Sequence, residues 1–165
     1  MNILFVRHGK DSDQHRGGWS QLDLLPEGKR EAKMLADYLV QHKEDYHFTK
    51  MITSDLKRAE TTATILAEVL QLPLEKESSL RETNNGDLAG MLNSEADQKF
   101  PRLYFRSLAM DEHYPNGESP GEFYQRIKTW FQRFLQENDD SDETQIVVTH
   151  GGVINIIYHL VNQIE

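Results

Sequence analysis

The sequence predicts an α/β protein with a largely parallel sheet. Short apolar runs rich in β-branched residues alternate along the 165 residues with longer stretches of helical spacing, which is the pattern of βαβ units. The short runs are compact and apolar, as expected of strands that are covered on both faces. A chain of this length can bury one substantial core, so we expect a single domain over residues 1–165.

Four strands are expected from these runs. In chain order they are Asn2 to Arg7, Lys50 to Thr53, a weaker candidate at Leu74 to Lys76, and Gln145 to Thr149.

Helices are expected between and after the strands. Leu35, Ala36, Leu39 and Val40 recur at helical spacing after Pro26-Glu27-Gly28, and Ile65, Leu66, Val69 and Leu70 do the same before the third strand. A third helix carries an aromatic stripe, begins at Ser119 and Pro120, and ends at the acidic loop Glu137 to Glu143. A last helix is expected over Val153 to Val161.

Composition excludes several function classes. Acidic residues outnumber basic ones by 27 to 18, and the formal charge of −9 repels nucleic acid and anionic lipid. The absence of cysteine rules out a disulfide, a thiolate nucleophile and a cysteine-based zinc site. The chain shows no signal peptide and no membrane anchor, so we expect a soluble, cytoplasmic protein.

Chemistry is first indicated where the first predicted strand ends, at Arg7-His8-Gly9. In open α/β sheets, ligands bind outside the carboxyl ends of the strands. A neutral imidazole can attack phosphorus without a metal, and an adjacent guanidinium offers forked donors that match phosphate oxygens. Gly9 lets the backbone come close to a ligand. Taken alone, however, the tripeptide is better explained as a strand end and a turn.

A second His-Gly pair, His150-Gly151, follows the last predicted strand and precedes a helix. Two histidines at neighbouring strand ends could flank one phosphate, one attacking and the other donating hydrogen bonds to its oxygens. The glycines and the helix start would supply amide groups that bind anions. Arg58 follows the second strand and would enter the same crevice, so the combination favours a phosphate site.

The chain resembles the histidine phosphatase superfamily, also called the phosphoglycerate mutase-like family, nearly from end to end. The motifs that carry the resemblance are Phe5-Val6-Arg7-His8-Gly9, Leu25-Pro26-Glu27-Gly28, Ser54-Asp55-Leu56-Lys57-Arg58-Ala59-Glu60-Thr61-Thr62-Ala63, Leu80-Arg81-Glu82 leading to Gly86 and Gly90, Gly117-Glu118-Ser119, and Thr149-His150-Gly151-Gly152.

The resemblance implies a fold and a set of roles. It implies a three-layer α/β/α sandwich with His8 as the phosphorylated nucleophile. It assigns Arg7, Arg58 and His150 to the phosphate pocket and Glu82 to proton donation. It implies neither a metal nor an organic cofactor.

Glu82 also makes chemical sense as the proton donor, because an alkoxide leaving group needs a proton and the carboxylate can then act as base towards water. The alternative is that Glu82 pairs with Arg81 or caps a turn. Glu118 is a weaker candidate, since a negative charge just before a helix is favourable for structural reasons alone.

Two departures from the family pattern bear on substrate binding. Gln14 stands where members often have an asparagine, and it could replace that residue as an amide donor. Asn155 stands where many relatives carry an arginine, so the pocket is expected to hold fewer positive charges. The residues expected to contact substrate are Arg7, Gly9, Gln14, Arg58, His150 and Gly151.

A short cap is expected over about 91–116, between the proton donor and the Gly-Glu-Ser segment. Cofactor-dependent mutases of the family are typically longer there and wall the pocket off from water, so a short cap favours hydrolysis. Candidates for a leaving-group pocket are Arg102, Tyr104, Phe105, Arg106, His113 and Tyr114, although an amphipathic surface helix explains the first four equally well.

The function expected from these residues is hydrolysis of a phosphomonoester through a phosphohistidine on His8. A mutase-type isomerase and a non-catalytic phosphate-binding regulatory module remain as alternatives. The expected partner is a small phosphorylated metabolite, with no nucleic acid and no membrane, and a homodimer is left open. The chain stops at Glu165, where relatives usually continue, so both a trimmed chain and a short form are compatible with the sequence.

Overall fold

The computed structural model describes residues 1–138 and 142–162. Its sheet has four strands in the order β1-β4-β2-β3, and every neighbouring pair is parallel. The strands are β1 (Asn2–Arg7), β2 (Phe48–Thr53), β3 (Leu74–Lys76) and β4 (Thr144–Thr149). All four predicted strands are therefore confirmed, with β2 and β4 beginning slightly earlier. Part of the predicted acidic loop, residues 139–141, and the end at Glu165 lie outside the described residues.

Five α-helices accompany the sheet among the described residues. They are α1 (Pro26–Gln41), α2 (Lys57–Leu70), α3 (Asn93–Lys99), α4 (Pro120–Glu137) and α5 (Gly151–Asn162). The last helix begins at Gly151 rather than at Val153, so both glycines of its motif belong to its first turn. None of the described helices is long and apolar enough to cross a membrane.

Two hydrophobic cores cover opposite faces of the sheet, because successive strand residues point to opposite sides. Val6, Met51 and Val148 pack on one face against α1 and α2. Their neighbours Phe5, Ile52 and Val147 pack on the other face against the aromatic stripe of α4 and against α5. The α/β class and the three-layer arrangement are thus confirmed.

The start of α4 follows the predicted signals. The Ser119 hydroxyl accepts a hydrogen bond from the Glu122 N–H at 3.2 Å, and the Glu122 carboxylate accepts one from the Ser119 N–H at 3.0 Å. Pro120 occupies the first turn, where its missing N–H costs nothing. This capping box fixes the register of α4, which carries Arg126 towards the site.

The cap segment forms no amphipathic α-helix over Arg102 to Arg106. Its only described α-helix, α3, ends just before Pro101, and a residue that precedes proline is disfavoured in helical conformation. The stretch from Arg102 to Arg106 therefore lies outside any α-helix; Arg102 has a left-handed φ of 64° and Phe105–Ser107 forms a short 3-10 helix. The surface helix that was weighed as the alternative to a leaving-group pocket is therefore not formed by these residues.

Candidate active site

The carboxyl edge of the sheet brings the two predicted histidines together. β1 and β4 are neighbours, and the His8 N–H continues their ladder by donating to the Thr149 carbonyl at 3.0 Å. On the other side of β4, the Ser54 N–H donates to the Val148 carbonyl at 3.0 Å. The rings of His8 and His150 consequently lie 5.2 Å apart, centroid to centroid.

His8 is held as a neutral imidazole with one free nitrogen lone pair. Its Nδ1 lies 2.8 Å from the Gly9 carbonyl oxygen, which can only accept, so Nδ1 carries the hydrogen and Nε2 the lone pair. Arg58 Nε donates to that Nε2 at 3.3 Å. Burial lowers the pKa of His8 from its usual value, and the Arg58 charge adds to this lowering, while the bond to Gly9 opposes it. The neutral form needed for nucleophilic attack is therefore favoured.

His150 is completely buried beside it. Its Nε2 lies 2.8 Å from the Ser54 hydroxyl, whereas its Nδ1 has no hydrogen-bond partner among the described residues. Burial above all, and then the charge of Arg58, hold the pKa of His150 well below its usual range. An unpartnered buried ring nitrogen is costly, so Nδ1 is a candidate contact for a further hydrogen-bonding group.

Arg58 enters the crevice from the first turn of α2, as predicted, and only 2% of its surface is exposed. Nη1 and Nη2 donate to the carbonyls of Ser20 and Gly18, at 3.1 and 2.8 Å. Burial lowers the pKa of its guanidinium, but the negative charges of Asp11 and Glu82 oppose this lowering. The guanidinium is thus rigidly placed, with its Nε directed at His8.

Two further residues that were predicted to bind substrate, Arg7 and Gly9, differ in what they contact. Arg7 is exposed and faces the start of α5, because a Cβ added at Gly151 would lie 3.8 Å from its Nε. Gly9 donates its N–H to the Thr62 hydroxyl and packs so closely on Gly28 that any Cβ would clash with the Gly28 carbonyl. The missing side chain of Gly9 therefore allows close packing against the protein backbone at Gly28.

Gln14 is exposed and is tied down by its backbone. Its N–H donates to the Ser12 hydroxyl at 3.3 Å, and its carbonyl accepts from the Asn93 N–H at 2.8 Å. Gln14 is absent from the residues that line the cavity beside His8. Its predicted contact with phosphate stays a prediction. Asn155 is exposed on α5.

Glu82 lies at the start of α5, the helix that directly follows His150. Its two carboxylate oxygens accept hydrogen bonds from the Thr83 and Gly152 N–H groups, each at 3.0 Å. A Cβ at position 152 would clash with Glu82 Oε1 and would lie 3.1 Å from the Phe123 ring. Only glycine at this position lets the helix N-terminus approach the carboxylate.

Glu82 does not pair with Arg81, whereas its hydrogen bonds to the Thr83 and Gly152 N–H groups are those of a residue that caps a turn. Its role as proton donor stays a prediction. Arg81 pairs with Asp55 through two hydrogen bonds of 2.6 and 2.5 Å, not with Glu82. Glu118 accepts from the Asn84 N–H at 2.7 Å and binds Arg126 at 2.5 Å, so it is committed to this structural contact.

Arg126 is a positioning residue that sequence reasoning missed. From α4, its guanidinium donates to the carbonyls of Ser79 and Arg81 at 2.9 Å and to that of Glu82 at 3.2 Å. It therefore holds the segment that carries Glu82. A lone arginine on an amphipathic helix gives no sequence signal for such a role.

Trp19 was missed as well. Its indole N–H donates to the Glu82 carbonyl at 2.7 Å, and its backbone N–H donates to the Asn85 side chain at 3.1 Å. Since Gly18 and Ser20 on either side of it bind Arg58, this loop links Arg58 to the segment that carries Glu82. The run Gly17-Gly18-Trp19-Ser20 was the available signal, because paired glycines before a tryptophan mark an ordered turn.

The cap residues contribute mainly to packing. Tyr104 stacks under the Arg16 guanidinium at 4.1 Å and donates a hydrogen bond from its hydroxyl to Asp97. Phe105 packs edge-on to Phe123. His113 pairs with Glu122. Tyr114 is buried, which raises the pKa of its hydroxyl.

A cavity of about 440 Å³ opens beside His8. Its lining is strongly charged and comprises Arg7, His8, Gly9, Lys10, Asp11, Asp13 and Glu31. Within residues 1–138 and 142–162, no group of three histidine or acidic side chains is arranged to hold a metal ion. The site therefore offers a nucleophilic nitrogen, two guanidinium groups and a carboxylate.

The family to which known similar proteins belong agrees with this arrangement of histidine, arginine and glutamate side chains. The model of the family described as "Histidine phosphatase superfamily (branch 1)" matches residues 3–165. The chain is 34% identical to phosphoglycerate mutase-like protein 4 of Arabidopsis thaliana, over 94% of this chain and 69% of that protein. It is 29% identical to phosphoserine phosphatase 1 of Hydrogenobacter thermophilus, over 96% of this chain and 74% of that one.

The fold is also found among solved structures. Mycobacterial glucosyl-3-phosphoglycerate phosphatase superposes with a TM-score of 0.80 at 25% sequence identity. The superposition covers 99% of this chain and 80% of that one.

Proposed function

Because the chain belongs to the histidine phosphatase superfamily and is an enzyme of the histidine phosphatase type, we propose that it hydrolyses a phosphomonoester through a phosphohistidine on His8. In this proposal Arg7, Arg58 and His150 bind the phosphoryl group. Glu82 first donates and then accepts the proton. The named phosphatases among the similar proteins support hydrolysis as the reaction.

The observation that carries the proposal is the pair of histidine rings at one edge of the sheet, whose centroids lie 5.2 Å apart. His8 Nε2 bears a lone pair, whereas His150 Nδ1 is buried without a partner among the described residues. If the Ser54 hydroxyl donates to Nε2 of His150, Nδ1 carries the hydrogen. A phosphoryl group between the rings would then receive the attack of one histidine and a hydrogen bond from the other.

The proposed reaction has two steps. His8 Nε2 attacks phosphorus, the bond to the ester oxygen breaks, and Glu82 gives its proton to the departing oxygen. Water then attacks phosphorus, Glu82 takes its proton, and the bond to Nε2 breaks to release phosphate. The Gly9 carbonyl holds the Nδ1 hydrogen throughout and stabilises the positive charge that forms on the ring.

Measurement of the steady-state release of phosphate tests both the role of His8 as nucleophile and the role of Glu82 as proton donor. For an alkyl phosphomonoester, Glu82→Gln is expected to lower kcat/KM by about 10²- to 10⁴-fold, because the alkoxide then leaves without a proton. The loss should be much smaller for p-nitrophenyl phosphate, whose leaving group needs no proton. His8→Ala should abolish release from both substrates. Glu75→Gln, at an exposed position on β3, is the matched control.

Equal losses for the two substrates in Glu82→Gln would refute the role as proton donor. Binding of phosphate without any release of phosphate from either substrate would instead indicate a non-catalytic phosphate-binding module. An isomerase remains a second candidate because of the similarity to phosphoglycerate mutase-like protein 4. Incubation with 3-phosphoglycerate distinguishes the two, since an isomerase would form 2-phosphoglycerate and the proposed phosphatase would not.

A further inference from the structure

Asp11 places a carboxylate inside the proposed phosphate pocket. Its Oδ2 forms an ion pair with Arg58 Nε at 3.5 Å, and the same Nε lies 3.3 Å from the nucleophilic His8 nitrogen. Asp11 also lines the cavity beside His8. A negative charge therefore already stands next to the nucleophile when the pocket holds no substrate.

The Asp11 carboxylate and a phosphoryl oxygen compete for the same place. Nη1 and Nη2 of Arg58 already donate to backbone carbonyls, so its Nε is the group aimed at the reaction centre. A phosphorus atom within reach of His8 Nε2 must bring an oxygen close to that Nε, which is where Asp11 Oδ2 lies. Two anions cannot share this position without strong repulsion.

Asp11 can leave this position without a change in the backbone. The preceding residue, Lys10, is fixed at both of its backbone groups: its N–H donates to Glu31 at 2.8 Å, and its carbonyl accepts from Leu25 at 2.9 Å. The Asp11 side chain is 25% exposed, so rotation can carry its carboxylate to solvent. The ion pair is thus a replaceable contact on a fixed loop.

We propose that Asp11 is an internal competitor of the phosphoryl group, which weakens the binding of inorganic phosphate and returns Arg58 to an ion pair as product leaves. The role determines ligand affinity and takes no part in bond breaking, and this inference rests on the phosphate pocket proposed above. The enzyme would therefore release its product readily and would bind weakly any phosphate compound that offers no further contacts.

Calorimetric titration of the protein with inorganic phosphate tests this role. Asp11→Asn keeps the shape of the side chain and removes its charge, so phosphate should bind about tenfold more tightly than to the wild type. Asp11→Ser, which removes the carboxylate altogether, should show the same gain. Asp37→Asn is the matched control, because Asp37 is an exposed aspartate of α1 that does not line the cavity, and its affinity should match the wild type. A merely structural role for Asp11 predicts weaker binding, not tighter.

A parallel titration of Arg58→Gln separates this inference from the proposed function. Suppose that Arg58→Gln loses phosphate binding while both Asp11 variants bind phosphate no more tightly than the wild type. The competitor role of Asp11 is then overturned, but the proposed phosphate pocket is supported. If Arg58→Gln binds phosphate with the affinity of the wild type, the proposed phosphate pocket is wrong. The competitor role of Asp11 is then wrong too, because it depends on that pocket.

Discussion

His8 and His150 are both kept neutral by burial, but they have different hydrogen-bond partners. The Gly9 carbonyl fixes the hydrogen of His8 on Nδ1 and leaves the lone pair on Nε2, the proposed nucleophile. His150 is bound through Nε2 to Ser54, which leaves its Nδ1 for a ligand. One ring is thus suited to attack and the other to donate, although the two lie 5.2 Å apart at the same sheet edge.

Burial of these histidines predicts a loss of stability in mild acid. Their folded-state pKa values are lowered, so below the ordinary histidine pKa of about 6.5 the unfolded chain takes up protons that the folded chain does not. This contribution to stability is complete above about pH 6.5 and is lost as the pH falls below it. The unfolding temperature, measured in phosphate-free buffers, should therefore drop between about pH 7 and about pH 5.5.

His150→Asn should reduce this pH dependence, because the buried titrating group is gone. His159→Asn, which replaces an exposed histidine of α5, is the control and should leave it unchanged. The account of the histidine pair would be wrong if the unfolding temperature of the wild type stayed constant or rose over that interval.

Among the elements of the fold, the N-terminus of α5 matters most to the site. It follows β4 directly, so His150 precedes its first turn and Gly152 supplies an N–H to Glu82. From the opposite side, Arg126 of α4 holds the Glu82 carbonyl. The proposed acid is therefore positioned by two helices, while the proposed nucleophile belongs to a strand end.

Gly152→Ala is expected to displace Glu82 without disturbing the nucleophile. The new Cβ would clash with Glu82 Oε1, so kcat/KM for an alkyl phosphomonoester should fall by at least about tenfold, with a smaller loss for p-nitrophenyl phosphate. Gly17→Ala is the matched control, since a Cβ there would come no nearer than 4.0 Å to Arg58. An equal loss for both substrates would show that the substitution damages the pocket as a whole.

Over the whole molecule, local sequence patterns were sufficient for the fold and for the strand-end residues. Each strand is a compact apolar run, and His8 and His150 directly follow two such runs, so their meeting at one sheet edge could be predicted. The shape of the cap could not, because Pro101 limits α3 while the chain beyond it takes its conformation from packing.

Trp19 and Arg126 could not be predicted from the sequence, because their contacts join segments that are distant along the chain. Trp19 reaches the Glu82 carbonyl across 63 positions, and Arg126 does so across 44. Such side chain to backbone contacts leave no periodicity in the sequence. Asp11 belongs to none of the motifs that indicated the site, and its ion pair with Arg58 required the three-dimensional arrangement.

Phosphorylation of His8 is the most direct test of the central claim. After brief mixing with a phosphomonoester and rapid quenching at alkaline pH, mass spectrometry of peptides should show one acid-labile phosphoryl group on His8. Glu82→Gln should still form this species with p-nitrophenyl phosphate, whereas His8→Ala should show none. Phosphorylation of a different residue, or its persistence at the wild-type rate in His8→Ala, would contradict the assignment of His8 as the nucleophile.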